Sequence, residues 1–546
     1  LAPGSRVDFA ARDDKSFAFQ EEAMTTIAAM MSADYGVMGD ILRLRAEEAP
    51  NHPAIIMDTG ESVTYGQFDA LVDRVAAALQ RDGIKPGEAV AVCALSSIPY
   101  AAVFLGGLRA GVAVAPIAPS STPESIAGMV ADCGAKLFFL DAGVAEAQKP
   151  APVPARLIAL DVSSAGDAFD AWLAPQGAKP APVEIAPEAP FNIIYSSGTT
   201  GTPKGIVQSH AMRWKHVFRG DAVGYAPGAV TLLSTPLYSN TTLVVFFPTL
   251  AGGGTVVLMK KFDAGRYLEL AQQHRMTHTM LVPVQYRRLM ERPDFDRYDL
   301  STTHLKFCTS APFAAELKAD VLKRWSGGLV EYFGMTEGGG TCILMCHEHP
   351  DKLHTVGKPA PGHDIRLIDE DGVQVGPGVV GEIVGRSAGM MNGYHGQPGK
   401  TAEATWISPE GWNFIRTGDV GRFDDEGFLT LMDRKKDMII SGGFNIYPSD
   451  LEAEILKHEA VAEAAVVGVP SDAWGETPVA FVALKAGAAA GAEEIKAFVN
   501  GRVGKTQRVA DLRIVEALPR SHIGKVLKRE LRDSWQQSSK PRSVDA

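Results

Sequence analysis

From about Gly39 onward, short runs of Val, Ala and Ile alternate with stretches in which apolar residues recur every three or four positions. FDALVDRVAAALQRDG (68–83) has that helical period, whereas AVAVCAL (89–95) and VAVAPIAP (112–119) are apolar on both sides and predict buried strands. Between them, SSIPYAAVFLGGLRAG predicts a turn and a helix, so the whole segment reads as a βαβ unit. Further strands and helices follow in AKLFFLD, in GGTVVLMKKFD with RYLELAQQHR, and in HTMLVP with VQYRRLMERP. From about Thr355 the texture changes to strand and turn, dense in Gly and Pro, and predicts a smaller β-rich subdomain. After Asp433 comes a compact α+β segment, with helix DLEAEILKHEA and strands AAVVGVP and PVAFVAL.

The expected fold class is therefore α/β: a large N-terminal body of α/β layers plus a β-rich subdomain, hinged to a small α+β C-terminal domain. Residues 1–38 are set apart as an N-terminal extension, in part a leader ahead of Met24. The body spans 39–432, the polar stretch 433–436 is the hinge, and 437–546 form the C-terminal domain. The Ala/Pro-rich stretch from Lys149 to Pro190 reads as a surface excursion.

Composition narrows the function classes. Hydrophobic residues are 46% and charged residues 21% of the chain, an ordinary globular balance. A net charge of −11 offers no general attraction to nucleic acid, which is not expected as a partner. Five cysteines in 546 residues do not form a disulfide framework, and the cytoplasm is the expected location. The uncharged run from Ala89 to Leu108 is long enough to raise a transmembrane question, but Ser96, Ser97 and Pro99 interrupt it and Arg109 follows, so no transmembrane segment is expected. Oligomeric state is not written in the sequence, a homodimer being one arrangement open to it.

The chemistry is concentrated in YSSGTTGTPKG (195–205), which carries five Ser/Thr hydroxyls, three glycines and one ammonium between two apolar runs. Glycines let backbone N–H groups approach a ligand, hydroxyls add donors and Lys204 adds a mobile charge, a set suited to polyphosphate. It is not the P-loop pattern, because Thr202 and Pro203 separate Gly201 from Lys204.

This stretch resembles the phosphate-loop signature of the adenylate-forming superfamily, which comprises acyl-CoA synthetases, luciferases and peptide-synthetase adenylation domains. YFGMTEGGG (332–340), RTGD (416–419), DRKKDMIISGGFNIYP (433–448) and LPRSHIGKVLKREL (518–531) are similar to that family's further motifs, in its order. The pattern is nearest to acyl- and aryl-CoA ligases of the 4-coumarate and medium-chain fatty acid types. The resemblance implies that a carboxylate attacks the α-phosphorus of ATP to give acyl-AMP and pyrophosphate, after which the thiol of coenzyme A displaces AMP. ATP, Mg²⁺ and coenzyme A are the implied cofactor and co-substrates, and a small carboxylic acid is the substrate.

By the same resemblance, Ser196, Ser197, Gly198, Thr199, Thr200 and Lys204 hold the β- and γ-phosphates, and Thr336 contacts the α-phosphate. Glu337 helps hold Mg²⁺, Phe333 lies against adenine, Asp419 accepts the ribose hydroxyls, and Arg434 contacts the ribose and phosphate side. Lys525 is the catalytic lysine of the mobile domain, Lys436 the hinge, and Gly442 and Gly443 border the path of the thiol arm. PLYSNTT (236–242) aligns with the acid-pocket segment, with Tyr238 as its aromatic. Ser239 stands where many CoA ligases carry His and amino-acid-activating relatives carry Asp, which counts against an amino acid substrate. Val282, Pro283, Ser310, Ala311, Pro312, Gly338 and Gly339 are further expected pocket walls, small or apolar, implying a medium-chain fatty or an aryl-alkanoic or cinnamic-type acid. Arg287 and Arg288 leave open a second carboxylate on the substrate. An acyl-AMP ligase serving a carrier protein and a non-enzymatic nucleotide-binding protein are the alternatives.

Overall fold

The computed structural model describes residues 26–539 apart from 197–203, 219, 221–222, 435–436, 442–443, 472–473, 505–506 and 521–525, with backbone alone for 433–434, 444–445 and 538–539. Strands Ala89–Cys93 and Ala113–Pro116 run parallel around helix Ile98–Arg109, so the expected βαβ unit is present. All five residues of the first strand are buried, because both faces of the sheet are covered. Val90 and Val92 face an inner layer of helices, while Ala89, Ala91 and Cys93 pack on an outer one.

Two large sheets share that inner layer. The eight-stranded sheet runs in the order Gly393–Tyr394, Lys204–Ser209, Pro190–Ser196, Ala113–Pro116, Ala89–Cys93, Leu137–Leu140, Arg156–Ala159, Asp167–Ala168. The nine-stranded sheet has a parallel centre in which Pro53–Met57, Thr255–Leu258, Val230–Leu233, His278–Leu281, Leu305–Cys308 and Gly328–Phe333 are successive neighbours. Helices Tyr65–Arg81, Ile98–Arg109 and Asn240–Ala251 contribute Phe68, Phe104 and Phe247 to one core with Val92 of the first sheet and Val256 of the second. Outer helices cover the far faces, which gives five alternating layers. The uncharged run ends on Arg109, which is itself buried and bonds Asp69 Oδ1 at 2.6 Å and Asp73 Oδ1 at 2.7 Å. Among the described residues no helix is long and apolar enough to cross a membrane.

Two segments differ from the sequence expectation. Within the supposed excursion, Arg156–Ala159 and Asp167–Ala168 extend the eight-stranded sheet, and Trp172 packs edge-on to Phe139 at 5.0 Å. Within the supposed extension, helix Ile27–Ser32 places Met30 in the main core and Trp214 Nε1 donates to Ala33 O at 3.1 Å. In both cases the apolar residues are few and interspersed with Ala, Pro or Ser, so the period is too weak to read.

The β-rich subdomain is a six-stranded sheet centred on Asp364–Ile368, Gly381–Arg386, Asn413–Phe423 and Leu429–Arg434. The C-terminal segment pairs Val461–Ser471 with Gly475–Leu484, flanked by Ile439–Ser441 and Asp511–Ile514. The short strand Gly393–Tyr394 joins the eight-stranded sheet beside Lys204–Ser209, Gly393 pairing with Val207.

Candidate active site

Strands Pro190–Ser196 and Lys204–Ser209 pair antiparallel, and their last pair is Ser196 beside Lys204. Both of those residues lie on the wall of a cavity of about 1650 Å³. Its floor is formed where strands Ala113–Pro116, Leu305–Cys308 and Gly328–Phe333 end, which is where open α/β sheets place their ligands.

Thr336 and Glu337 follow the last of these strands and enter the cavity. Gln208 Nε2 donates to Thr336 O at 2.7 Å, and Met391 N donates to Glu337 O at 2.8 Å, so this turn is held from both sides. Tyr394 Oη donates to Glu337 Oε1 at 3.0 Å, and Lys204 Nζ stands 5.0 Å from the centre of the Tyr394 ring. Burial, and then the Glu337 carboxylate, push the Tyr394 hydroxyl well above its ordinary pKa, so it remains a neutral donor. Asp419 lies on strand Asn413–Phe423 and also lines the cavity. Its N–H donates to Thr417 Oγ1 at 3.0 Å, and Thr417 Oγ1 donates in turn to Ile383 O at 2.9 Å. Arg416 clasps Glu382 with two bonds, Nη2 to Oε2 at 2.6 Å and Nε to Oε1 at 3.2 Å, fixing the same strand.

On the acid side, Tyr238 and Ser239 line the cavity together with Asn240 and Thr241 at the start of helix Asn240–Ala251. Ser310 joins them with a left-handed backbone (φ 83°), its Oγ 2.6 Å from Thr241 Oγ1. A non-glycine residue held there is strained, a condition that clusters at ligand sites. Val244, Val245, Met280, Phe307 and Tyr332 supply an apolar end. The C-terminal domain closes one side with Pro519, Arg520 and Leu527, and Arg520 bridges Val526 across residues 521–525.

Several expected positions stand off the cavity wall. Phe333 packs half-buried against Cys342, Val356 and Ile365, because alternation along the strand turns Tyr332 to the cavity instead. Val282 and Pro283 are buried at the start of helix Pro283–Met290, and Ala311 and Pro312 lie beside the wall rather than on it. Gly338 and Gly339 are glycines for a packing reason. A Cβ on Gly338 would be driven into Gly389 O, and one on Gly339 into Ile415. Arg288 is exposed, and Arg287 Nη1 donates to Ala462 O of the C-terminal domain at 3.2 Å, so neither arginine reaches the cavity. Ser197, Gly198, Thr199, Thr200, Lys436, Gly442, Gly443 and Lys525 lie outside the described residues, as does the side chain of Arg434, whose backbone pairs with Asp419. Tyr394, Glu382 and Asn240 are cavity residues to which the sequence assigned no role. RTGD already contained Arg416, the partner of Glu382, and PLYSNTT contained Asn240 itself, whereas nothing local marks Tyr394.

The family model described as AMP-binding enzyme matches residues 42–395, and that of the AMP-binding enzyme C-terminal domain matches residues 450–525. A fatty acid–[acyl-carrier-protein] ligase, ScoC, of Streptomyces coeruleorubidus is 31% identical over 502 residues, covering 90% of this chain and 95% of its own. The 4-coumarate–CoA ligase-like 9 protein of Oryza sativa subsp. japonica is 34% identical, covering 88% of this chain and 89% of its own. Among solved structures, ATP-bound MatB from Rhodopseudomonas palustris superposes with a TM-score of 0.82 at 27% identity, over 92% of this chain and 100% of its own. The chain belongs to the AMP-binding enzyme family, the adenylate-forming superfamily, and is an AMP-forming acid–thiol ligase.

Proposed function

We propose that the protein is an ATP-dependent carboxylic acid:CoA ligase acting on a medium-chain fatty or aryl-alkanoic acid. The observation that carries this reading is the convergence of Ser196, Lys204, Thr336, Glu337 and Asp419 on one cavity whose other end is apolar. A carboxylate is inert toward a thiol because oxide is a poor leaving group, and forming acyl-AMP replaces that group with AMP. The first step needs neutralised charge and aligned reactants, which the wall provides without a nucleophilic triad. Lys204 and Ser196, with Ser197, Gly198, Thr199 and Thr200 between them in the chain, hold the β- and γ-phosphates, Thr336 holds the α-phosphate and Asp419 accepts the ribose hydroxyls. Arg434 contacts the ribose and phosphate side, while Lys525 bridges the α-phosphate and the attacking carboxylate. Rotation about Lys436 then brings Gly442 and Gly443 beside the thiol arm of coenzyme A.

The donor chemistry fits Mg²⁺. Among the described residues no three His, Cys, Asp or Glu side chains gather as a cage, and Glu337, a cavity carboxylate next to Thr336, suits a cation that takes phosphate and water oxygens as its other ligands. Bound there, Mg²⁺ would offset negative charge on the ATP phosphates. Tyr394 orients Glu337 by its hydrogen bond, and Tyr394→Phe is expected to lower kcat/KM for ATP about tenfold, the scale of one hydrogen bond to a charged group. An unchanged value in steady-state assays would remove Tyr394 from the site.

Acid-dependent pyrophosphate release with ATP and Mg²⁺, measured across fatty, cinnamic, benzoic, dicarboxylic and amino acids with and without CoA, tests the reading. Medium-chain fatty or cinnamic-type acids are expected to turn over with CoA. Preference for short dicarboxylates would overturn the pocket assignment. The ScoC similarity supports a second reading, transfer to a carrier protein, for which release indifferent to CoA is the signature.

A further inference from the structure

Arg213, on helix His210–Phe218, is fully buried and has no carboxylate partner among the described residues. Three side-chain amides converge on its Nη2 instead: Asn192 Oδ1 at 3.1 Å, Asn240 Oδ1 at 3.0 Å and Gln208 Oε1. Its Nε and Nη1 make no hydrogen bond and the guanidinium lies 5.5 Å and 5.8 Å from the Phe191 and Phe247 ring centres. Burial lowers its pKa to about 9, which leaves it charged at neutral pH. A buried cation without a counter-ion is costly, so its persistence calls for a function.

A guanidinium only donates. Each of the three amides must therefore turn its oxygen to Arg213 and its NH₂ away. Gln208 directs its NH₂ to Thr336 O at 2.7 Å and toward Asn240 Oδ1 at 3.5 Å, and Asn192 Nδ2 donates to Gln208 Oε1 at 3.0 Å. The orientation of Asn240 is thereby settled. Its oxygen is taken, its Nδ2 makes no hydrogen bond among the described residues, and the half-buried side chain lines the cavity next to Ser239. Because Gln208 touches both Asn240 and Thr336, this donor stands at the reacting end of the acid rather than at its apolar tail.

We propose that Asn240 Nδ2, preset by Arg213, selects acids that carry a hydrogen-bond-accepting oxygen near the carboxylate, such as a 3-hydroxy or 3-oxo group. The proposal rests on the ligase reading above and deepens it. Arg213 is a positioning residue: without its charge the Asn240 amide is free to turn over, and the cavity presents an acceptor as often as a donor.

The test compares matched acids, octanoate with 3-hydroxyoctanoate and 3-phenylpropanoate with 3-hydroxy-3-phenylpropanoate, by kcat/KM for pyrophosphate release. The unsubstituted protein is expected to favour the oxygen-bearing member of each pair by about tenfold. Asn240→Leu and Arg213→Met are expected to bring the ratio to within about twofold of one, and Arg213→Lys, which keeps a buried cationic donor, to retain most of the preference. A wild-type ratio near one, or a ratio that Asn240→Leu leaves intact, overturns the proposal while leaving the ligase reading in place. Absence of release with every acid overturns the ligase reading itself and the proposal with it. Arg213→Met has a structural effect only if it lowers both members of a pair equally, and that result also removes Arg213 from the proposal.

Discussion

Lys525→Ala is expected to slow acid-dependent pyrophosphate release by about 10²–10³-fold while leaving thioester formation from supplied acyl-AMP within a few fold of the parent protein. The reason is geometric. Pro519, Arg520 and Leu527, on either side of residues 521–525, stand on the wall of the cavity that Glu337 and Asp419 also line. Arg520 bonds Glu463 at 2.8 Å, and Glu463 lies 3.8 Å from Arg287 of the body, so a short run of charges docks the C-terminal domain on this face. On the proposed reading, a lysine delivered from that side would neutralise charge where the acid meets the α-phosphate. Once the adenylate exists, displacement of AMP by a thiol no longer requires it. Single-turnover measurement of each half-reaction decides the matter, and an equal fall in both would end the proposed division of labour.

Gly338→Ala is expected to destabilise the protein by about 2–5 kcal/mol, the sum of a left-handed backbone imposed on an L-residue and of overpacking. Gly338 has φ 85°, and a Cβ there would meet Gly389 O and Met212 Cε. The surrounding backbone is itself pinned, with Ser387 Oγ donating to Gly338 O at 3.3 Å and Gly389 N donating to Ser387 Oγ at 3.0 Å. Relief by local movement would displace Glu337, so activity should fall with stability. Gly376→Ala, where a Cβ meets nothing within 4 Å, is the control and should stay within about 0.5 kcal/mol. Urea midpoints for the two variants provide the comparison, and equal midpoints would refute the packing account.

These cases mark what the sequence could convey. Strands buried on both faces, such as Ala89–Cys93, are legible because a continuous apolar run has few other solutions. Ser196, Lys204, Thr336, Glu337 and Asp419 are legible because each sits in a short motif whose local backbone carries it into the cavity. Tyr394 and its partner Glu337 are 57 positions apart, and Gln208 and Thr336 are 128 apart, so no window of sequence contains either pair. Phe333 and Tyr332 show a different limit, since adjacent residues of a strand face opposite ways and a motif does not say which one meets the ligand. In the run Gly338 to Gly340, glycine's small size was legible, but the crowding neighbours Gly385 and Ile415 come from another sheet and Gly389 from the turn after strand Gly381–Arg386.

The parallel pairing of Pro53–Met57 with Thr255–Leu258 has a consequence for the birth of the chain. The two strands are about 200 residues apart, and Ile55 has no permanent neighbour on that side until Val256 has been made. At about 5–20 residues per second on the ribosome, the first strand waits on the order of 10–40 s. Throughout that interval an apolar edge is open to mispairing, so the nascent body should depend on chaperones far more than the C-terminal segment, whose main hairpin closes between neighbouring strands.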